Sequence, residues 1–229
     1  MSSTAAEDYT LTLDRDGAEL WPDAASAHLT KIIEALANQP SDHAGVRLTG
    51  IPILSDLLDA RGAIGARVAR ELGSWARPVR MILFDKSAAT NWALGWHQYR
   101  TIVVRDRTDV PAFGPWTTKA GLLHVAPPIE LLERMMTIRI HLDAVPAANA
   151  PLLIAPGSHR LGRIPESHIE RAVDCHGIRA CVAHVGDIWA YSTPILHASG
   201  AAIEPLRRRV LQVDYAAEEL PGGLEWLGI

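Results

Sequence analysis

The sequence predicts a mainly β protein with flanking helices around a jelly-roll core. Three observations point there. Helical periodicity is strongest within residues 1–75. From residue 76 onward, short β-rich runs alternate with Gly, Pro, Asn and Asp. Several of those runs alternate apolar and polar residues with period two. The 229 residues fit a single domain, with an N-terminal helical part over 1–75 and the jelly-roll core over 76–229.

The elements follow in order. Residues 1–8 are small and polar and are expected to fray. A helix is predicted over 24–36, where Ala25, Leu29, Ile32, Ile33 and Leu36 recur at helical spacing. Asp23 and Ser26 are its cap candidates, and residues 38–42 break it. A second helix is predicted over 55–72, with Leu57, Leu58, Ile64, Val68 and Leu72 as its stripe and Gly73 as its stop. Gly62 and Gly65 weaken its middle. Strands are predicted over 79–84, 101–104, 137–142, 152–155, 180–185, 188–191 and 210–215, with helical interruptions at 129–135 and 166–173. In the 137–142 run, Ile138, Ile140 and Leu142 share one face, and Thr137, Arg139 and His141 the other. In the 210–215 run, Gln212 and Asp214 share a face with Val210.

Composition narrows the function. Lys plus Arg is 22 against 26 Asp plus Glu, a formal charge of −4, which argues against a nucleic-acid binder with a basic face. No apolar run reaches membrane-spanning length. The N-terminus lacks a basic n-region and an apolar h-region, so no signal peptide is expected and a cytoplasmic location is the default. Ten His stand against two Cys, Cys175 and Cys181, too few for a disulfide framework or a Cys-rich zinc site. A metal, if bound, is therefore held by nitrogen and oxygen.

On a strand, residues i and i+2 point the same way, so a His-x-carboxylate pair offers two ligands to one ion. Two literal matches read as decoys. His168-Ile-Glu170 falls in a predicted helix, where i and i+2 diverge. His141-Leu-Asp143 ends a strand, so His141 reads as a half-buried strand histidine and Asp143 as the start of a turn. A third candidate, His97, has Tyr99 where a carboxylate is wanted.

Trp96-His97-Gln98-x-Arg100 resembles the first metal motif of the phytanoyl-CoA dioxygenase family. Pro156-Gly157-Ser158-His159-Arg160 resembles the loop after that family's mid-barrel strand, and Leu142-Asp143 with Asn149-Ala150-Pro151-Leu152 the segment before it. Ile195-Leu196-His197-Ala198-Ser199 resembles the segment of the distal histidine, and Arg208-Arg209-Val210-Leu211 the strand whose arginine grips 2-oxoglutarate. Any one motif is weak; their order over about residues 80–225 makes the likeness specific.

The resemblance implies a double-stranded β-helix of the cupin-like kind and an iron(II)/2-oxoglutarate-dependent dioxygenase of hydroxylase type, acting on a small organic substrate. His97 and His197 would be iron ligands, with Tyr99 at a doubtful third position. Arg208 would pair with the far carboxylate of 2-oxoglutarate, as a planar guanidinium suits, and Ser199 would hydrogen-bond the same group. Trp96, Arg100, Trp116 and Lys119 are substrate-pocket candidates, with Trp92 and His124 nearby; aromatic walls and cations suit an anionic substrate. A turn at 113–116 is a lid candidate, and the tail at 218–226 is expected to cross the barrel end.

Tyr99 departs from the family, which normally has Asp there. A phenol has a pKa of about 10 and is a poor iron(II) ligand, although a tyrosinate suits oxidised iron. Four readings stay open on the sequence. Metal binds through His97 and His197 with Tyr99, water or another carboxylate third. The chain is a metal-deficient pseudoenzyme, a binding protein or a non-redox enzyme on the same fold. The tyrosine disables an otherwise working oxygenase. Or Asp106, Asp109 or Asp143 supplies the carboxylate.

Overall fold

The computed structural model describes residues 10–40 and 45–229. The predicted fraying of 1–8, and Ser41 and Asp42 of the predicted break, lie outside these residues. The strands are β1 (Ala18–Trp21), β2 (Val46–Leu48), β3 (Arg77–Lys86), β4 (Leu94–His97), β5 (Ile102–Val104), β6 (Trp116–Lys119), β7 (Leu122–Val125), β8 (Met136–His141), β9 (Leu152–Ile154), β10 (Arg179–Cys181), β11 (Ile188–Ser192), β12 (His197–Ser199) and β13 (Arg208–Ala216). The α-helices are α1 (Leu13–Asp16), α2 (Leu29–Ala35), α3 (Pro52–Leu58), α4 (Gly65–Leu72), α5 (Ile129–Glu133) and α6 (Ile169–His176).

Two antiparallel sheets face each other, as a double-stranded β-helix requires. The larger runs β1-β11-β8-β13-β3-β2 and the smaller β10-β9-β12-β4. A third sheet, β5-β7-β6, stands beside them. The N-terminal part is not purely helical: β1 and β2 close the two edges of the large sheet. Both are too short to leave a periodic signal.

The expected helix over 24–36 is a 3-10 turn (Ser26–His28) followed by α2, with no side-chain cap on either. The expected helix over 55–72 is two helices, α3 and α4. Gly62 explains the break: a Cβ there would lie 2.1 Å from the Asp56 carbonyl oxygen, so the chain turns where only glycine fits. Pro52 opens α3, and Gly73, at φ 92°, ends α4.

Alternation along the strands builds the site. The outward face of the large sheet carries Met81, Leu83, Ile138, Ile140, Leu211, Val213 and Tyr215, which pack with Ile32, Leu54, Leu58 and Val68 of the helices. The opposite face has two characters. Trp189 and Tyr191 join Leu152, Ile154, Cys181 and Ile195 in an apolar cluster between the sheets. Beside them lie Arg80, Lys86, Arg139, His141, Arg208, Gln212 and Asp214, all buried. A polar strand face that ordinarily meets water here lines a barrel interior. The tail packs onto the third sheet through Leu220, Leu224 and Trp226.

Candidate active site

Strands β4 and β12 pair with His97 opposite His197, which brings the two imidazoles to a centroid separation of 4.2 Å. Each ring is oriented by its own strand. His97 Nδ1 lies 2.8 Å from the Gly95 carbonyl and His197 Nδ1 2.8 Å from the Ile195 carbonyl. A carbonyl only accepts, so both Nδ1 atoms carry the proton and both Nε2 atoms keep a lone pair. This is how histidine is prepared for a metal ion. Burial keeps both rings neutral; the His197 pKa falls to about 3, with burial first and His97 second among the causes.

Tyr99 packs beside this pair, its ring centroid 5.0 Å from that of His197. Its hydroxyl accepts from Gln212 Nε2 at 2.6 Å. Gln212 also receives Arg139 Nη1 at 3.0 Å and lies 3.3 Å from Asp214. Asp214 is tied to Arg80 by a buried ion pair and accepts from Thr137 Oγ1 at 2.9 Å. The Arg80 guanidinium sits 4.8 Å over the Tyr99 ring. Burial pushes the phenol pKa above its ordinary value, and Arg80 offsets only part of that.

Asp106 is exposed, Asp109 is exposed beside Arg107, and Asp143 is clamped by Arg209 through both carboxylate oxygens at 2.7–2.9 Å. Among the described residues, no cluster of three or more His, Cys, Asp and Glu is arranged to hold a metal. His168 is exposed. His141, expected to be half-buried, is 3% exposed, and neither ring nitrogen has a hydrogen-bond partner. It faces the interior with Arg139 and Arg208; burial, then these two cations, lower its pKa to about 3.

Behind the histidines lies an inner cavity of about 40 Å³, lined by His197, Ser199, Arg139, Arg208, Tyr99 and His97 among others. Arg208 donates to the Asn149 and Ala150 carbonyls and lies 3.4 Å from Ser199 Oγ. Its Nε and that of Arg139 have no acceptor. Lys86 Nζ reaches Ser199 Oγ at 3.2 Å and the Gly200 carbonyl at 2.9 Å. Burial, then Arg208 and Arg139, lower its pKa to about 8. Two buried cations, Arg139 and Arg208, line this cavity with no carboxylate in its wall, and Lys86 adjoins it through Ser199; such a lining suits an anion.

An outer cavity of about 590 Å³ opens on the other side of His97 and Tyr99, and both residues line the two cavities. Arg100 and Lys119 line it as expected, with Trp92, Arg47, Arg80 and His124. Trp96 and Trp116 do not. Trp96 alternates with His97 on β4 and packs against the cluster of Ala155, Ile164, Ile169, Val173 and Leu196. Trp116 packs with Phe113 against the third sheet's core, so this turn is held there. Sequence reading missed Lys86, Arg139 and Gln212. Period-two alternation along 80–86 and 137–141 places Lys86 and Arg139 on the inner face, which was the available signal.

The profile of the phytanoyl-CoA dioxygenase (PhyH) family matches residues 22–210. The chain belongs to that family. Its members are iron(II)/2-oxoglutarate-dependent oxygenases. A search of curated sequences gave no match. Among solved structures, EctD from S. alaskensis in its apo form is 17% identical, covers 93% of this chain and 79% of its own, and has a TM-score of 0.62. The epimerase SnoN, in complex with Fe3+, alpha-ketoglutarate and nogalamycin RO, is 17% identical over 92% of this chain and 88% of its own, with a TM-score of 0.60. HygX from Streptomyces hygroscopicus, with nickel and 2-oxoglutarate bound, is 15% identical over 89% and 84%, with a TM-score of 0.58. At these identities the likeness is one of fold, and the fold is the family's double-stranded β-helix.

Proposed function

We propose that the protein is an iron(II)- and 2-oxoglutarate-dependent oxygenase, of hydroxylase type, acting on a small organic molecule. One observation carries the reading: two paired imidazoles with free Nε2 atoms line an inner cavity that also holds Arg139 and Arg208, and one of them, His97, borders the larger outer cavity as well.

The residues fit the cofactors. His97 and His197 would hold the metal through Nε2. The orphaned Nε atoms of Arg208 and Arg139, with Ser199 and Lys86, fit a 2-oxoglutarate carboxylate. Tyr99 stands where the family's Asp is expected, but Gln212 holds its oxygen and its proton is retained, so it is not a ligand in this reading. With two protein ligands in place of three, the metal would be held more weakly. When bound, iron and 2-oxoglutarate together supply oxidation by dioxygen, coupled to decarboxylation of the 2-oxo acid. The chain's own residues do the rest. Arg208 and Ser199 would anchor the far carboxylate, and the Gly95 and Ile195 carbonyls fix the ligand tautomers.

The test is anaerobic titration with iron(II) and 2-oxoglutarate, followed by the charge-transfer absorption of the chelate. The band is expected in the native protein and absent from His197→Ala. Its absence from the native protein overturns the reading, and its appearance in Tyr99→Asp alone would show that Tyr99 disables the centre.

A further inference from the structure

The outer cavity carries charge that the metal site does not use. Two of its four cations are already matched. Arg80 is paired with buried Asp214, and Arg100 reaches Glu166 at 3.5 Å and the Ile164 carbonyl at 2.9 Å. The other two, Arg47 and Lys119, have no ion-pair or hydrogen-bond partner among the described residues, and Arg47 Nε is buried without an acceptor. His124 stands with them. It is 1% exposed, its Nδ1 meets Thr101 Oγ1 at 3.3 Å, and its Nε2 has no partner.

These three come from two separate parts of the chain. Arg47 lies on β2, opposite Ile82 and on the inward face of the large sheet. Lys119 and His124 lie on the β6–β7 hairpin of the third sheet. Arg47, Arg80, Lys119 and His124 all line this one cavity, and burial, followed by Arg80, Arg47 and Lys119, brings the His124 pKa down to about 4. Lys119 is exposed at the mouth, whereas Arg47 Nε and His124 Nε2 are buried polar atoms without a partner, which costs stability unless an acceptor enters. The acid that lines this cavity, Glu166, is exposed at the rim and engaged with Arg100.

We propose that Arg47, Lys119 and His124 form a subsite for an anionic oxygen group of the substrate, a phosphate monoester or a carboxylate, whose remainder extends toward His97. The proposal rests on reading the outer cavity as the substrate's, and not on the state of the metal. Arg47 and Lys119, unpaired among the described residues, balance a dianion better than a monoanion, so the phosphate ester is the favoured form.

The test is calorimetric titration of the metal-free protein with methyl phosphate and, separately, acetate, read beside the side-chain 15N shifts of His124. Methyl phosphate is expected to bind, to move the His124 signals and to bind more tightly than acetate. Acetate binding more tightly reassigns the group to a carboxylate within the same subsite. Arg47→Gln and Lys119→Gln should each weaken binding roughly tenfold, and Arg47→Lys should retain most of it. Arg208→Ala should leave it intact. Loss on Arg208→Ala with no effect of the Arg47 and Lys119 exchanges would put the anion in the inner cavity and overturn the proposal, as would failure of both anions to bind. The iron(II)–2-oxoglutarate band on Arg47→Gln/Lys119→Gln separates the two readings. A band there with anion binding lost supports both. No band in any variant, with anion binding intact, sinks the metal centre and leaves the subsite standing.

Discussion

Replacing Arg208 by Ala tests the inner cavity most sharply. The residue is 3% exposed, and its guanidinium spans the Asn149 and Ala150 carbonyls and Ser199 Oγ, with Nε left over. Burial, then Arg139, lowers its pKa to about 10, so it is still a cation at neutral pH. Removing one member of a buried, hydrogen-bonded charge pair costs about 2–5 kcal/mol, which is a rise in Kd of roughly 30-fold to several thousand-fold. Arg208→Lys keeps the charge but not the fork, and should fall between. The assay is anaerobic calorimetry of 2-oxoglutarate on iron-loaded protein, with a urea melt of each variant to show that the 147–151 loop is still held. A folded Arg208→Ala variant binding within about threefold of native would refute the reasoning. The carboxylate would then belong to Lys86 and Arg139.

Three further outcomes follow. Tyr99→Asp should tighten iron(II) binding by at least about tenfold, since it adds a charged ligand beside His97. It should also lower apo stability by about 1–3 kcal/mol through loss of the Gln212 bond and the Arg80 contact; unchanged metal affinity by competition with a chelating dye would contradict this. His141 has a folded pKa of about 3 against an ordinary 6.5, so the unfolded chain binds more protons between those values and stability falls as pH drops through that window. The loss from this residue reaches about 2 kcal/mol near pH 5; urea unfolding of native and His141→Leu protein at about pH 7 and about pH 5 checks it, and an equal change with pH in the two would count against it. Gly62→Ala should cost about 1–3 kcal/mol in urea unfolding, because its Cβ meets backbone rather than a movable side chain. A neutral result would mean that the α3–α4 turn relaxes.

What could be read from the sequence follows physical lines. The run 210–215 was legible because period-two alternation holds along β13; the motifs of His97, His197, Ser199 and Arg208 come in order along the chain, and the structure brings the four side chains to one inner cavity. The edge strands β1 and β2 were not, since four and three residues are too few for a period. Gln212 gained a role only when β13 was set opposite Tyr99, a pairing 113 residues apart in the chain. Trp96 illustrates a signal left unused: neighbours on a strand tend to face opposite ways, and Trp96 packs into the cluster of Ala155 and Leu196 while His97 lines the cavities. Arg139 and His141 look like a solvent face in isolation, and only closure of the second sheet makes that face an interior.

The central claim is a metal centre held by two histidines, with Tyr99 outside it. X-ray absorption of the anaerobic iron(II)–2-oxoglutarate complex tests this directly, in native protein and in Tyr99→Phe. The account predicts two imidazole scatterers in both, with the same spectrum and the same iron affinity. Fewer than two imidazoles, or loss of the centre in Tyr99→Phe, would contradict it.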